Sequence, residues 1–168
     1  MEDIQIRHAV EADAEAIRAI YNYEVEHETA TFDLVPRSLE DQIEWQNARQ
    51  GAFCVYVAEL NGEVVGFGAL SPYKERAAYR TSVEDSVYIR RDLGRQGIGR
   101  VMLSHLLTAA ADGGFHAVMA RITTLSAGSI ALHESLGFRL VGIEREIGRK
   151  FNKWLDVALM QCLLHEIE

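Results

Sequence analysis

The sequence contains little cysteine and no long hydrophobic run. Its only two cysteines, Cys54 and Cys162, are far apart, so they do not form the closely spaced pair of a zinc site. Each lies in an apolar segment, and we expect both to be buried free thiols. No segment approaches the roughly 20 apolar residues that span a membrane, and the first residues show no secretory signal. We therefore expect a cytoplasmic protein without a metal site or a membrane partner.

The chain also lacks an excess of positive charge. With 17 Lys and Arg against 25 Asp and Glu, its formal net charge is −8. A protein that binds the phosphate backbone of a nucleic acid normally presents a basic face, so this balance argues against such a partner. Basic residues are nevertheless dense between Arg90 and Arg100. This local cluster predicts that the ligand is a single anionic small molecule and not an anionic polymer.

The length of 168 residues and the ordinary content of 48% hydrophobic and 25% charged residues predict one domain over 1–168. Hydrophobic periodicity and turn residues predict an α/β fold with the order β-α-α-β-β-β-α-β-α-β-β. Asp13 is expected to cap the first helix and Ser38 the second. The predicted strands cover about 4–8, 53–59, 63–70, 81–89, 115–122, 138–147 and 155–164, and the last two helices end near 112 and 136.

The most informative segment follows the third long strand. Ser86-Val87-Tyr88-Ile89 leads through Gly94-Arg95-Gln96-Gly97-Ile98-Gly99-Arg100 into an apolar-periodic helix. Free N–H groups at a helix N-terminus attract anions, and glycines allow the backbone to approach closely. The segment therefore predicts a phosphate or pyrophosphate site. A plain turn between strand and helix would have the same short glycine pattern.

Two side chains are candidates for proton transfer. Glu84 lies in a strand otherwise suited to burial, and alternation puts it on one face with Ser86 and Tyr88. A carboxylate in a dry cleft has a raised pKa and can act as a base, although it could equally be a solvent-facing residue. His133 lies on a short helix, where its imidazole could exchange protons or simply pack in the core.

These motifs together resemble those of a known family. The loop is similar to the pyrophosphate loop of the GNAT N-acetyltransferases, and 73–79, 81–88, 132–138 and 148–156 resemble the phosphinothricin and methionine sulfoximine acetyltransferase branch. The resemblance implies a mixed, mostly antiparallel seven-stranded sheet flanked by about four helices, with acetyl-CoA as co-substrate. Two positions depart from the family pattern. Gly94 stands where Arg or Gln is usual, and Ser126 stands where many relatives have asparagine.

The resemblance also implies roles for individual residues. Glu84 would be the base and His133 a catalytic or orienting partner, and no metal is needed. Phe32 and Tyr79 are candidate apolar walls for the substrate side chain, although each could equally be a core residue. Implied coenzyme contacts are Val87, Tyr88, Ile89, Arg95, Gln96, Gly97, Ile98, Gly99, Arg100 and Ser126. Implied substrate contacts are Lys74, Glu75, Arg76, Glu84, Asp85 and Ser86.

We therefore expect acetyl transfer from acetyl-CoA to the α-amine of a small amino-acid analogue, by direct attack in a ternary complex. Phosphinothricin, methionine sulfoximine and methionine sulfone are the expected acceptors, and the resemblance implies a detoxifying homodimer. Two alternatives stay open at this point. The acceptor could be a protein N-terminus or a polyamine, or the chain could be a non-catalytic acyl-CoA sensor.

Overall fold

The protein consists of a seven-stranded sheet with two helices packed on each face. The computed structural model describes residues 3–167. Short 3₁₀ turns lie at Glu11–Asp13, Ala77–Thr81, Arg91–Leu93 and Leu164–Glu166. The strands and helices in chain order are β1 (Gln5–His8), α1 (Ala14–His27), α2 (Leu39–Asn47), β2 (Val55–Leu60), β3 (Glu63–Pro72), β4 (Ser82–Ile89), α3 (Ile98–Asp112), β5 (Ala117–Thr123), α4 (Ala127–Glu134), β6 (Arg139–Lys150) and β7 (Lys153–Leu163).

The strand order in the sheet is β1-β2-β3-β4-β5-β7-β6. Every neighbouring pair is antiparallel except β4 and β5, which are parallel. The predicted element order and the mixed, mostly antiparallel sheet with four helices are confirmed, with boundaries shifted by up to about three residues. Among residues 3–167, no helix is long and apolar enough to cross a membrane.

Local turn and cap chemistry accounts for several of these boundaries. Asn61 and Gly62 both have positive φ angles and form a two-residue hairpin turn between β2 and β3. Ser38 caps α2 as expected, because its hydroxyl accepts a hydrogen bond from the Asp41 amide. The predicted cap of α1 differs. The Asp13 carboxylate accepts hydrogen bonds from Arg7 and from the Val10 amide instead of from the helix.

Two apolar clusters fix the helices to the sheet. On one face, called the α1 face here, α1 packs through residues such as Ile17 and Tyr21 against Val57 and Phe67 of β2 and β3. On the opposite α3 face, the larger cluster joins α3 and α4 to alternate residues of the central strands. Cys54 and Cys162 are both buried free thiols, as expected, and belong to this larger cluster.

The parallel pair β4–β5 separates soon after it starts. Pairing between the two strands covers only Ser82 to Glu84 against Ala117 to Met119. From Asp85 onward β4 continues to Ile89, and β5 continues to Thr123, without further pairing to each other. The sheet is therefore split near its centre, and this split positions the candidate site.

Candidate active site

A cleft of about 980 Å³ opens where β4 and β5 separate, and it reaches both faces of the sheet. Such a volume is that of a cofactor or ligand site. Its walls come from the end of α1 and the segment after it, from β4, β5 and α4, from the glycine loop and from the β6–β7 turn. The residues that matter below are Glu24, Glu28, Thr31, Phe32, Glu84, Asp85, Ser86, Val87, Tyr88, Ile89, Arg91, Gly94, Gly99, Arg121, Ser126, Ser129, His133, Phe151 and Lys153.

The backbone of β4 supplies unpaired polar groups to this cleft. Arg90 N–H donates to the Val65 carbonyl of β3, and the β3–β4 register has no irregularity. Antiparallel pairing alternates, so the backbone groups of Val87 and Ile89 face away from β3, toward the gap. Those of Tyr88 face β3. A ligand in the cleft can therefore bind the backbone at Val87 and Ile89, whereas Tyr88 offers its backbone only to the sheet.

Glu84 lies at the point where the strands separate, on the α1 face. Regular alternation places Glu84, Ser86 and Tyr88 on this face, as predicted, and the Tyr88 ring contacts Tyr21 of α1 at 5.4 Å between centroids. Burial raises the pKa of the Glu84 carboxyl, and the positive charge of Arg121 offsets part of that effect. A carboxylate with a raised pKa, held in a partly dry cleft, is suited to accept a proton from an amine.

The neighbouring Asp85 points to the α3 face and pairs with His133. His133 Nε2 lies 2.9 Å from Asp85 Oδ2, and His133 Nδ1 donates to the Ser129 carbonyl at 2.8 Å. Both side chains are almost inaccessible, with 4% and 2% of their surfaces exposed. Burial lowers the pKa of His133, but the hydrogen bond and charge of Asp85 outweigh it and raise the pKa overall. The folded protein therefore favours the imidazolium form more than an exposed histidine would.

Glu84 and His133 therefore do not contact each other. They lie on opposite faces of the sheet, at the two sides of the split. The Asp85 carboxylate, expected to contact substrate, is engaged by His133, and its Oδ1 is buried without a hydrogen-bond partner among the described residues. The two titratable groups thus divide the cleft into an α1 side with a carboxylate and an α3 side with a buried ion pair.

The glycine loop leads into α3 beside the cleft. Gly97 is the N-cap of α3 and has a φ of 84°, which L side chains rarely adopt. A Cβ at Gly97 would meet no protein atom within 4 Å, so its backbone conformation explains the glycine. A Cβ at Gly99 would lie 3.3 Å from Leu132 Cδ2, so close packing of α3 on α4 explains that one. The first N–H groups of α3 are left free for an anion.

The structure brings only part of the expected residue set into the cleft. Glu84, Asp85, Ser86, Val87, Tyr88, Ile89, Gly99, Ser126, His133 and Phe32 line it. The exposed connector residues Lys74, Glu75, Arg76 and Tyr79 do not, and the Lys74 ammonium instead lies 5.1 Å from the rings of both Tyr73 and Tyr79. Arg95, Gln96, Gly97, Ile98 and Arg100 also lie outside the lining, and Arg100 donates to Ser135 of α4.

Several charged groups of the cleft are not predicted from the sequence, among them Glu24 and Arg121. Glu24 is 3% exposed and accepts two hydrogen bonds from Arg91, at 2.8 and 2.7 Å. Arg121 lies on β5, where its charge acts on Glu84. Each had a signal. Glu24 falls at helical spacing on the apolar face of α1, and Arg121 interrupts an otherwise apolar strand.

Comparison with known proteins now bears on this cleft. Residues 6–159 match the model of the acetyltransferase (GNAT) domain. The chain belongs to the GNAT acetyltransferase family. This confirms the family resemblance of the sequence motifs.

Relatives of this GNAT protein match along nearly the whole chain. It is 37% identical to the L-amino acid N-acyltransferase MnaT of Escherichia coli, covering 97% of this chain and 95% of that one. It is also 37% identical to the L-methionine sulfoximine/L-methionine sulfone acetyltransferase of Salmonella typhimurium, over 96% and 95% of the two chains. A phosphinothricin acetyltransferase from Sinorhizobium meliloti, solved with acetyl-CoA, superposes with a TM-score of 0.92 at 35% identity. The match covers 95% of this chain and 88% of that one.

Proposed function

We propose that this GNAT domain, extending over 1–168, transfers acetyl from acetyl-CoA to the α-amine of a small amino acid or amino-acid analogue. Methionine sulfone, methionine sulfoximine and phosphinothricin are the acceptors we propose. One observation carries the proposal: the split between β4 and β5 opens a cleft through the sheet, with a carboxylate of raised pKa on one side. Relatives of similar length are named for acetylation of such acceptors.

On the α3 side we propose the coenzyme site. The free N–H groups at the start of α3 and along Arg95 to Arg100 would hold the pyrophosphate, where their partial positive charge matches it. The backbone of Val87 and Ile89 would bind the pantetheine amides, and an N–H at the gap would stabilise the negative thioester oxygen in the transition state. Ser126, at the N-cap of α4, lines the same cleft and is a further proposed coenzyme contact.

On the α1 side we propose that Glu84 accepts a proton from the α-ammonium, directly or through water. The neutral amine then attacks the thioester carbon and the new C–N bond forms. As the C–S bond breaks, the attacking nitrogen loses a further proton, the thiolate sulfur gains one, and coenzyme A leaves as the thiol. His133 has both ring nitrogens engaged, so we assign it an orienting role that also keeps positive charge near the departing thiolate. Ser86 remains a proposed substrate contact. Lys74, Glu75 and Arg76 could reach an acceptor only from the rim.

We further propose that the protein forms a homodimer. The edge strand β6, the following turn and the start of β7 expose several large apolar side chains, among them Ile143, Ile147, Phe151 and Trp154. Exposed apolar patches of this kind are typical of interaction surfaces. Size-exclusion chromatography with light scattering would test this, and a monomer at all concentrations would contradict it. A cytoplasmic location and a role in detoxification stay predictions from the sequence.

The decisive test is release of free thiol from acetyl-CoA with amino-acid analogues, ordinary amino acids, peptides and polyamines. We expect turnover with the first class and a loss of about 10²–10⁴-fold in kcat for Glu84→Gln, with coenzyme affinity retained. Glu134→Gln, an exposed carboxylate on α4, is the matched control. Turnover with peptides or polyamines alone would shift the acceptor class, and coenzyme binding without any turnover would favour a sensor.

A further inference from the structure

Phe32 forms part of the cleft wall on the α1 side, and its ring rests on a glycine of β6. Phe32 is 39% exposed and lines the cleft. A Cβ built on Gly148 would lie 2.3 Å from Phe32 Cε2, 2.6 Å from Cδ2 and 3.0 Å from Cζ. Any side chain at Gly148 would therefore occupy space that the aromatic ring now fills.

The backbone around Phe32 is held from both sides, so the ring cannot retreat by moving its loop. The buried Tyr21 hydroxyl is hydrogen-bonded to Thr31 Oγ1 at 2.8 Å and also donates to the Asp33 carboxylate. Lys150, which is 4% exposed, donates from Nζ to the Thr31 carbonyl at 2.8 Å. The residues before and after Phe32 are thus both fixed.

We propose that Gly148 is a positioning residue that sets the room for the acceptor side chain, acting through Phe32. To restore an ordinary carbon–carbon contact of about 3.5 Å, a Cβ at Gly148 must push the nearest ring carbon by more than about 1 Å. With the backbone fixed on both sides, the ring turns into the cleft. Gly148 itself does not line the cleft, so its effect is indirect. This inference rests on the proposed amino-acid acetyltransferase function.

The test compares Gly148→Ala with Gly142→Ala. Both glycines belong to β6, but a Cβ at Gly142 would meet no protein atom within 4 Å. Acceptors are L-methionine sulfone, which has a long side chain, and L-alanine, which has a short one. For Gly148→Ala we expect KM for methionine sulfone to rise about tenfold, the usual effect of one methyl-sized misfit, with KM for L-alanine within about twofold. Gly142→Ala should leave both constants, and KM for acetyl-CoA, unchanged.

Rescue separates positioning from general loss of structure. In a Phe32→Ala background the ring is gone, so adding Gly148→Ala should change KM for methionine sulfone by less than about twofold. If Gly148→Ala does not fold, Phe32→Leu alone should still alter the ratio of the two KM values while leaving KM for acetyl-CoA unchanged. An unchanged ratio, or an effect of Gly148→Ala that persists without the ring, would overturn the inference.

A crystal structure of Gly148→Ala distinguishes this inference from the proposed function. If the wild-type protein acetylates neither amino acid, the proposed function fails while the position of the ring can still be seen. A ring displaced into the cleft would support the positioning role of Gly148. A ring displaced toward solvent, or an unmoved ring with a shifted β6, would refute it.

Discussion

The pair of Asp85 and His133 makes a pH-dependent contribution to stability, which Asp85→Asn should expose. Both side chains are almost fully buried, and His133 Nδ1 must keep its proton because it donates to a carbonyl. The raised folded-state pKa means that charged His133 stabilises the fold fully below its unfolded pKa of about 6.5. That contribution is lost as the pH rises through the folded-state pKa. Asp85→Asn removes the carboxylate whose hydrogen bond and charge raise the pKa of His133, so burial is opposed only by the hydrogen bond to the Ser129 carbonyl and the pKa falls.

The size of the effect follows from this burial. Removing one partner of a buried ion pair costs about 3–5 kcal/mol, and the low exposure leaves little solvent to screen the loss. We expect Asp85→Asn to lower the free energy of unfolding by about 3 kcal/mol near pH 5.5, or about 6–12 °C in Tm for a chain of this length. Once the pH exceeds the folded-state pKa of His133, both proteins contain neutral His133. Neutral Nε2 has no proton to donate to Asp85, whereas the asparagine amide of the variant can donate to it, so the difference in unfolding free energy should vanish or change sign.

Urea and thermal unfolding across this pH range measure the difference directly. The matched control is Asp92→Asn, an exposed carboxylate paired with Arg90. The pKa of Asp92 is lowered by its hydrogen bond to Arg90, so the control should show no pH dependence above the carboxylate range. The difference in unfolding free energy between the wild type and Asp85→Asn should depend on pH in this way. If it is constant with pH, or grows toward alkaline pH, the inference of a charged pair is refuted.

Three further substitutions test contacts in and around the cleft. Lys150→Met removes two hydrogen bonds, one to the Glu24 carbonyl of α1 and one to the Thr31 carbonyl of the following loop, and should lower the free energy of unfolding by about 1–3 kcal/mol. Thermal unfolding should show no such loss for Lys153→Met, a change at an exposed lysine. Gly97→Ala forces an L residue to a φ of 84°, at about 1–2 kcal/mol, and calorimetry should show severalfold weaker acetyl-CoA binding. Arg121→Gln removes the charge that lowers the pKa of Glu84, so the acidic limb of the kcat/KM profile should move to higher pH. An unmoved limb would contradict that coupling.

The sequence predicted the features that depend on local pattern. Alternation placed Glu84, Ser86 and Tyr88 on one face because β3 and β4 pair without a bulge. The hairpin at Asn61-Gly62 and the capping box at Ser38 also follow from neighbouring residues. Each of these depends on a few consecutive residues, so no long-range contact had to be known.

Partners far apart in the sequence could not be predicted in the same way. Alternation separates Asp85 from Glu84, but nothing in the spacing shows that Asp85 meets a histidine 48 positions later. The connector residues Lys74 and Arg76 were assigned to substrate because of their charge and resemblance, yet they lie outside the cleft of their own chain. Their place depends on how a loop folds over the sheet edge, which charge alone does not determine.

The α1 side of the cleft shows how a specific wall can arise from residues that have no common motif. Phe32 follows α1, whereas Gly148 and Lys150 end β6, and only the β6–β7 hairpin brings the two segments together. The glycine gives the ring its space and the lysine fixes the backbone that carries it. Side-chain selectivity in this cleft should therefore change with substitutions in β6 that touch neither acceptor nor coenzyme, while the proton-transfer chemistry at Glu84 stays the same.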